Sequence, residues 1–353
     1  MGSHSSAPGV EPAGAQGAGA TTLPPATSDR ARAPRRRLLG LVRSRSGAEG
    51  RPRKKPRGLV WYVFVGPAFL LLLLFVGYPT FQTFRQSLYE QVGTQQKFAG
   101  LTQYSQLFHQ SDLWKALENT AILGVAYLAI VIPLAVVLAS LLNKVRRGAT
   151  PLKVIYFLPQ LTSSVAVAII FNYVFQPDWG LLNGSLRRLG IHSTPLWLAD
   201  PRLGFTGSRA AVTILAVWAG LGYFMLIILA GLQAIPVELY EAAAIDGASA
   251  FQIWRAITLP SLRPTFVFLI VTGAFDAMSR FADLWTLGGP GGSPAGSLQS
   301  VVVLLFQTGF ESGNMNRAAA IAVILFTLML LVTVASFRTI LAREFGGRRR
   351  GVR

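Results

Sequence analysis

Six apolar stretches, separated by polar and charged connectors, set the pattern of the chain between residues 58 and 337. Five of them carry no charged residue, and each is at least as long as the roughly 20 residues that a helix needs to cross a bilayer. Because lipid offers no partner to backbone polar groups, helices are favoured over open strands. The pattern predicts an all-α, polytopic membrane protein with six transmembrane helices. The stretches are 58–84, 119–143, 154–177, 210–237, 265–287 and 318–337.

Three prolines lie inside these stretches: Pro67, Pro133 and Pro159. In a soluble protein, an internal proline removes a backbone donor and breaks a helix. In a membrane bundle, neighbouring helices can satisfy the freed carbonyls, so we expect kinks at these positions.

The basic residues of the connectors predict how the helices are oriented. With the N-terminus in the cytoplasm, 24 Lys and Arg fall on the cytoplasmic side and seven in the outside loops. Because Lys and Arg concentrate on the cytoplasmic side of membranes, both termini are predicted there. The cytoplasmic segments are then 1–58, 143–153, 234–264 and 338–353, and the outside loops are 85–117, 177–209 and 288–316.

Composition agrees with a membrane protein and argues against two other classes. The chain is 52% hydrophobic and 14% charged, whereas soluble domains carry about 25% charged residues. The net charge of +18 comes largely from the termini, since 12 of the 33 Lys and Arg lie in residues 1–58. We therefore expect contact with membrane lipids rather than nucleic acid. There is no Cys, which excludes disulfides and thiolate metal sites.

The predicted organisation has three parts. Residues 1–58 are rich in Ala, Gly, Ser, Pro and Arg and cannot bury enough apolar surface to offset the entropy of ordering, so they are predicted to be a disordered basic cytoplasmic tail. Residues 59–343 form the membrane domain, and 344–353 form a second basic cytoplasmic tail.

The connector at 238–264 has more specific character than a simple turn. Pro236 suits a helix start, and Glu238 and Glu241 lie in the opening turns, where negative charge meets the helix dipole favourably. Asp246-Gly247 is a turn signal. The sequence predicts a short helix that ends there.

A second short helix is predicted from Ala248 to Ile257, with Phe251 and Trp254 on one side, stopped by Leu259-Pro260. Two short helices with a bend and small residues between them can dock in a groove on a cytoplasmic partner. The alternative is an ordinary connector packed against the bundle, in which Glu241 only serves the helix dipole.

The pattern of this connector resembles the EAA loop of the membrane permeases of bacterial ATP-binding-cassette importers. The resemblance rests on Glu241-Ala242-Ala243, Asp246-Gly247-Ala248, Ile257-x-Leu259-Pro260 and Pro264. The stretches 218–236, 281–290 and 317–326 also look like those of carbohydrate permeases of the maltose and glycerol-phosphate type. The likeness covers residues from about 59 to 340.

The resemblance implies the type I importer fold and a bacterial plasma-membrane location. It also implies a second homologous permease subunit, which forms a heterodimer with this chain, two ATPase subunits and an extracytoplasmic solute-binding protein. In such importers the region 236–260 is the coupling helix, seated in a cleft of an ATPase subunit. The residues assigned to coupling on this basis are Glu241, Ala242, Ala243, Asp246, Gly247, Ala248, Phe251, Trp254, Ile257, Leu259 and Pro260.

Catalysis is expected in the partner subunits rather than in this chain. No G-x-x-x-x-G-K-[ST] motif occurs, so ATP binding through that loop is not predicted here. The three His lie far apart in the sequence, so no catalytic or metal site is predicted. We expect no cofactor on this chain, with ATP and magnesium bound by the ATPase subunits.

The fifth stretch contains the candidate pathway residues. Charges inside a membrane span are costly and mark a pathway or an ion pair. Asp276, Arg280 and Asp283 are spaced for one helix face, so they form either a structural ion-pair ladder facing the partner permease or a polar lining for a hydroxyl-rich solute. Tyr223 joins the candidates because resembling maltose-type permeases place a tyrosine at the matching position, and a polar residue at the position of Asp276, beside the sugar. The alternative for Tyr223 is an ordinary tyrosine at the membrane interface.

A rival function uses the same three charged residues. A self-sufficient secondary transporter would use Asp276, Arg280 and Asp283 as an ion relay. Such transporters usually contain internal repeats, and no repeat relates residues 59–200 to 201–340.

Overall fold

The structure, a computed structural model, describes residues 58–92, 95–145, 147–191, 195–198 and 205–348. The predicted tail 1–58 lies outside these residues except for Gly58, as do residues 349–353 of the predicted tail 344–353. The last helix continues to Arg348.

Helices account for most of the described chain. The N-terminal part contains α1 (Gly58–Leu72), a π-helical turn (Leu73–Gly77), α2 (Tyr78–Gln86), β1 (Tyr89–Val92), β2 (Gln95–Phe98), α3 (Thr102–His109) and α4 (Ser111–Lys144). The middle part contains α5 (Ala149–Phe157), a 3-10 turn (Leu158–Leu161), α6 (Ser164–Val174), α7 (Leu181–Arg188), a π-helical turn (Phe205–Arg209) and α8 (Ala210–Gln233).

The C-terminal part begins with a series of short helices. It contains α9 (Val237–Ile245), α10 (Ala250–Ile253), a π-helical turn (Trp254–Thr258), α11 (Leu259–Ser261), α12 (Arg263–Ser279), α13 (Ala282–Gly288), α14 (Val301–Phe306), a π-helical turn (Gln307–Glu311) and α15 (Met315–Arg348).

Four helices are long and apolar enough to cross a membrane, and two bent pairs bring the number to six if each pair is one span. The four are Phe64–Gln86, Ser111–Lys144, Gly207–Gln233 and Met315–Ser336. Pro67 and Pro133 lie within helices that continue past them, so neither proline breaks its helix, and the predicted kinks stay predictions.

The third predicted span is not one continuous helix. α5 with its 3-10 turn and α6 meet at an angle of 95°. Pro159 lies in the 3-10 turn, and Thr162, just beyond it, is extended with ψ of 144°. The bend is far sharper than the kink that Pro159 alone predicts, because the tight turn and the extended residue follow each other directly.

The prediction of a single fifth helix over 265–287 is wrong. α12 ends at Ser279, Arg280 is extended, and α13 begins only at Ala282. The Ser279 hydroxyl donates to the carbonyl of Phe275, so a side chain satisfies a carbonyl of the last turn and competes with continuation of the backbone ladder.

Outside the spans, the chain adds a small antiparallel hairpin of β1 and β2 that the all-α prediction did not include. Tyr89 pairs with Phe98 across the two strands, and their rings meet edge to face at 5.5 Å. Cross-strand aromatic pairs of this kind stabilise hairpins.

The main hydrophobic core lies between α4, α8 and α12. Tyr127, Val131, Phe224, Met225 and Leu269 are nearly fully buried in it. A second cluster joins α3, α14 and α15 to the start of α4. These contacts hold α8 and α12 side by side, which places the end of α12 beside the cavities described next.

Candidate functional site

The first candidate site is a protruding segment, residues 237–261, which we call the knob. α9 ends in a Schellman motif: Gly247 has φ of 74°, its N–H donates to Ala244, and the N–H of Ala248 donates to Ala243. Glycine adopts this left-handed conformation without a steric penalty, which explains the turn at Asp246-Gly247. The predicted end of the first helix is confirmed.

The second helix of the knob differs from its prediction at both ends. It begins at Ala250 rather than Ala248, because Ser249 and Gln252 form a reciprocal capping box. It does not stop at Leu259-Pro260. The π-helical turn Trp254–Thr258 widens the helix ahead of Pro260, and the chain continues as α11 to Ser261 before bending by 58° into α12.

One side of the knob is attached to the membrane bundle. The hydroxyls of Tyr240 and Thr258 are 3.1 Å apart, and Thr258 is buried. Tyr240 and Ile257 pack against the main core. Ala243, Ala248, Leu259 and Pro260 are only partly exposed. These contacts hold the two short helices together and attach them, through Tyr240 and Ile257, to the main core.

The other side of the knob is exposed and mixed in character. Ile245 is 87% exposed and Phe251 is 67% exposed, and Phe251 stacks on Trp254 with ring centroids 6.4 Å apart. Glu241 is exposed and has no ion-pair or hydrogen-bonding side-chain partner among the residues that the structure describes. Ala242, Asp246 and Gly247 are exposed as well. The predicted coupling residues thus divide into an attached set and an exposed set.

The second candidate site is a pair of neighbouring cavities inside the bundle. The larger, of about 350 Å³, is lined by Asp276, Arg280 and Asp283. The smaller, of about 180 Å³, is lined by Tyr223 and Asp276. Gln160 and Asp276 line both cavities. The structure therefore brings together all four predicted pathway residues.

An ion-pair network joins the three charged residues across the break between α12 and α13. Arg280 donates to Asp283 at 2.8 Å and to Asp276 at 3.1 Å. Its guanidinium carbon also lies 5.3 Å from the centroid of the Tyr127 ring. The three residues form an ion-pair ladder and also line a cavity, so a contact with the partner permease and a polar lining for a solute both stay predictions.

Three residues of these sites were not predicted. Tyr127 and Gln160 line the cavities, and Ile245 is the most exposed large apolar residue of the knob. The sequence could have indicated Gln160, because it is an amide within an apolar stretch. Tyr127 and Ile245 have none, because single apolar or aromatic residues in helices are ordinary.

The fold is that of a membrane permease of the type I importer class. The structure superposes on that of a bacterial transporter involved in the import of the acidic polysaccharide alginate, with a TM-score of 0.69 and 22% identity, over 80% of this chain and 95% of that one.

Residues 131–346 match the family described as binding-protein-dependent transport system inner membrane component, and the chain belongs to this family. It is 31% identical to the lactose transport system permease LacF of Rhizobium radiobacter, over 78% of this chain and 91% of the relative. It is 30% identical to the glycerol-3-phosphate permease UgpA of Rhizobium meliloti, over 83% and 98%. The resemblance stated from the connector is confirmed. The family depends on a binding protein, which supports the importer over the secondary transporter.

Proposed function

We propose that this chain is the non-catalytic membrane subunit of an ATP-driven carbohydrate importer and forms half of its translocation pathway. The relatives named above carry lactose and glycerol phosphate, and the superposed structure belongs to an alginate importer, so carbohydrates and their derivatives are the favoured cargo. The other parts are a second permease, two ATPase subunits and an extracytoplasmic solute-binding protein.

The observation that carries this proposal is the exposed side of the knob. Apolar residues such as Ile245 and Phe251 would be costly to leave in water, and a helix pair with such a ridge fits a groove on a partner. Glu241 adds a charge with no side-chain partner in the described chain, which suits a polar contact across an interface.

Coupling follows from how the knob is fixed. Since Tyr240 and Ile257 pack against the main core, which contains residues of α4, α8 and α12, a displacement of the knob is transmitted to that core and through it to the helices that line the cavities. Binding of ATP and magnesium to the ATPase subunits closes the ATPase dimer. That closure moves the knob and rocks the permeases from inward-open to outward-open.

The cavity chemistry suits a hydroxyl-rich solute. Tyr223 offers an aromatic face to a sugar ring, and Asp276 and Gln160 offer hydrogen-bonding groups to hydroxyls. Ligand sites of this kind combine apolar walls with a few placed polar groups.

The test is charge reversal at the knob in the complete complex, reconstituted in proteoliposomes with its binding protein. Glu241→Lys places a cation where the ATPase contact is proposed, so we expect transport per ATP hydrolysed to fall by about tenfold, the effect of roughly 1.4 kcal/mol at an interface. Uptake of the labelled solute and phosphate release are measured together, and membrane levels of the chain are followed by immunoblot.

Glu238→Lys is the matched control. Glu238 lies in the first turn of α9 and is also exposed, so a role limited to the helix dipole predicts an equal or larger effect there. We expect Glu238→Lys to be milder than Glu241→Lys. Normal transport by Glu241→Lys would contradict the coupling role of this residue.

A further inference from the structure

The two cavities meet at one carboxylate. Asp276 lines both the 350 Å³ and the 180 Å³ cavity, and its side chain is 56% exposed within this chain. A solute that passes from one cavity to the other would pass this group.

Arg280 is the cation beside this carboxylate, and its charge is already engaged. It forms a 2.8 Å ion pair with Asp283, whose side chain is only 4% exposed, while that of Arg280 is 15% exposed. The ring of Tyr127 lies under the guanidinium at 5.3 Å. Because an unpaired buried charge is strongly unfavourable, Asp283 requires this cation.

Asp276 is therefore the surplus charge of the network. One Arg faces two carboxylates, and the buried pair Arg280–Asp283 accounts for the positive charge. Within the described part of the chain, the lining of both cavities contains no Lys and no Arg other than Arg280. The described lining of the two cavities thus carries a net negative charge and offers no second cation to an anionic group.

We propose that Asp276 is a specificity-determining residue that makes this half of the pathway selective against acidic solutes. The inference rests on the proposed carbohydrate import and narrows its cargo to neutral or cationic carbohydrates, so this chain differs in cargo from the similar permeases for glycerol phosphate and acidic alginate. A like charge in a partly desolvated cavity raises the energy of an anion and favours a neutral solute whose hydroxyls donate hydrogen bonds to the carboxylate.

The first test measures the negative charge beside Asp276 without any transported solute. Because the chain has no Cys, a single Gln160→Cys places one thiol beside Asp276 in the full complex. Its reaction rates with a cationic and an anionic methanethiosulfonate reagent are measured by mass spectrometry of this chain and divided by the rates for a free thiol in solution. We expect the normalised rate ratio to favour the cationic reagent by about tenfold.

Two further variants test whether Asp276 causes the preference of the thiol for the cationic reagent. Asp276→Asn in the Gln160→Cys background should remove most of it, whereas Asp112→Asn, an exposed carboxylate at the start of α4 outside both cavities, should leave it unchanged. Ala219→Cys, in the wall of the larger cavity, repeats the measurement at a second position. A ratio that favours the anionic reagent, or one that Asp276→Asn does not change, would overturn the proposal.

The second test measures selectivity with the reconstituted complex. Uptake of lactose, maltose and trehalose is compared with uptake of lactobionate, maltobionate and trehalose 6-phosphate. We expect import of a neutral sugar and exclusion of its acidic counterpart. Import of an acidic member at an equal or higher rate overturns the selectivity. If the thiol reacts faster with the cationic reagent but no sugar is imported, the proposed function is contradicted, whereas the negative charge at Asp276 is established.

Discussion

At the scale of single residues, the three charges of the fifth stretch have different environments. Asp283 is almost completely buried and Asp276 is more than half exposed, although both bind Arg280. Sequence spacing predicted that these residues would meet, because positions three and four apart share a helix face. Spacing could not predict the burial of each side chain, because burial depends on where α13 packs after the break at Arg280.

This difference in burial predicts different defects for two alanine substitutions. Asp283→Ala removes the buried partner of Arg280, so we expect the complex to lose roughly 3 kcal/mol of stability. Asp276→Ala removes an exposed partner and should change transport more than assembly. Thermal aggregation of the detergent-solubilised complex and uptake in proteoliposomes measure the two effects.

The opposite order of the two assembly defects would assign a structural role to Asp276. If Asp276→Ala prevents assembly while Asp283→Ala does not, Asp276 is a structural contact with the partner permease rather than a pathway residue. Asp112→Ala, exposed at the start of α4, controls for the general effect of losing a carboxylate.

The residues that sequence reasoning missed share one property. Tyr127 matters because α4 places its ring under Arg280, about 150 residues further along the chain. Ile245 matters because the Schellman turn leaves it on the outer side of the knob. Such roles arise from packing between distant segments, which local patterns do not encode.

At the scale of elements, hydrophobic periodicity identified where helices lie but not where they break. The apolar stretch 154–177 gave no sign of a 95° bend beyond Pro159, and the stretch 265–287 contains no proline at its break. Both breaks border the larger cavity, since Thr162 and Arg280 line it. A continuous helix would close this space, so the irregular backbone is what makes room for the cavity.

The contact of α8 with α5 depends on a single glycine. A Cβ at Gly222 would overlap the backbone carbonyl of Tyr156, and backbone cannot move aside as a side chain can. We expect Gly222→Ala to destabilise the complex by about 1–3 kcal/mol through overpacking and to lower its thermal aggregation temperature.

Gly184→Ala is the matched control for this substitution. Gly184 lies in α7, and no atom is within 4 Å of the position of an added Cβ. We expect no loss of stability there. Equal stability of the Gly222→Ala and Gly184→Ala complexes would show that α5 and α8 can separate without cost.

At the scale of the whole molecule, the isolated chain leaves much of its apolar surface uncovered. None of the apolar window of Phe64–Gln86 is buried, against 61% of that of Gly207–Gln233. Such exposure is expected for a subunit surrounded by lipid and partner subunits. Lipid tails are as apolar as these side chains, so their exposure to lipid carries no free-energy penalty. Composition and the lengths of apolar stretches were enough to predict the membrane class, since both follow from the thickness of the bilayer.

Orientation is a prediction of the whole chain and has a direct test. The distribution of Lys and Arg places the knob in the cytoplasm and the start of α4 outside. Single Ser111→Cys and Ala250→Cys variants, both at exposed positions of this Cys-free chain, are treated with a membrane-impermeant maleimide in right-side-out vesicles. We expect labelling of Ser111→Cys there, and labelling of Ala250→Cys only in inverted vesicles. The reverse pattern would place the knob outside, where no ATPase subunit can reach it, and would contradict the proposed coupling together with the orientation.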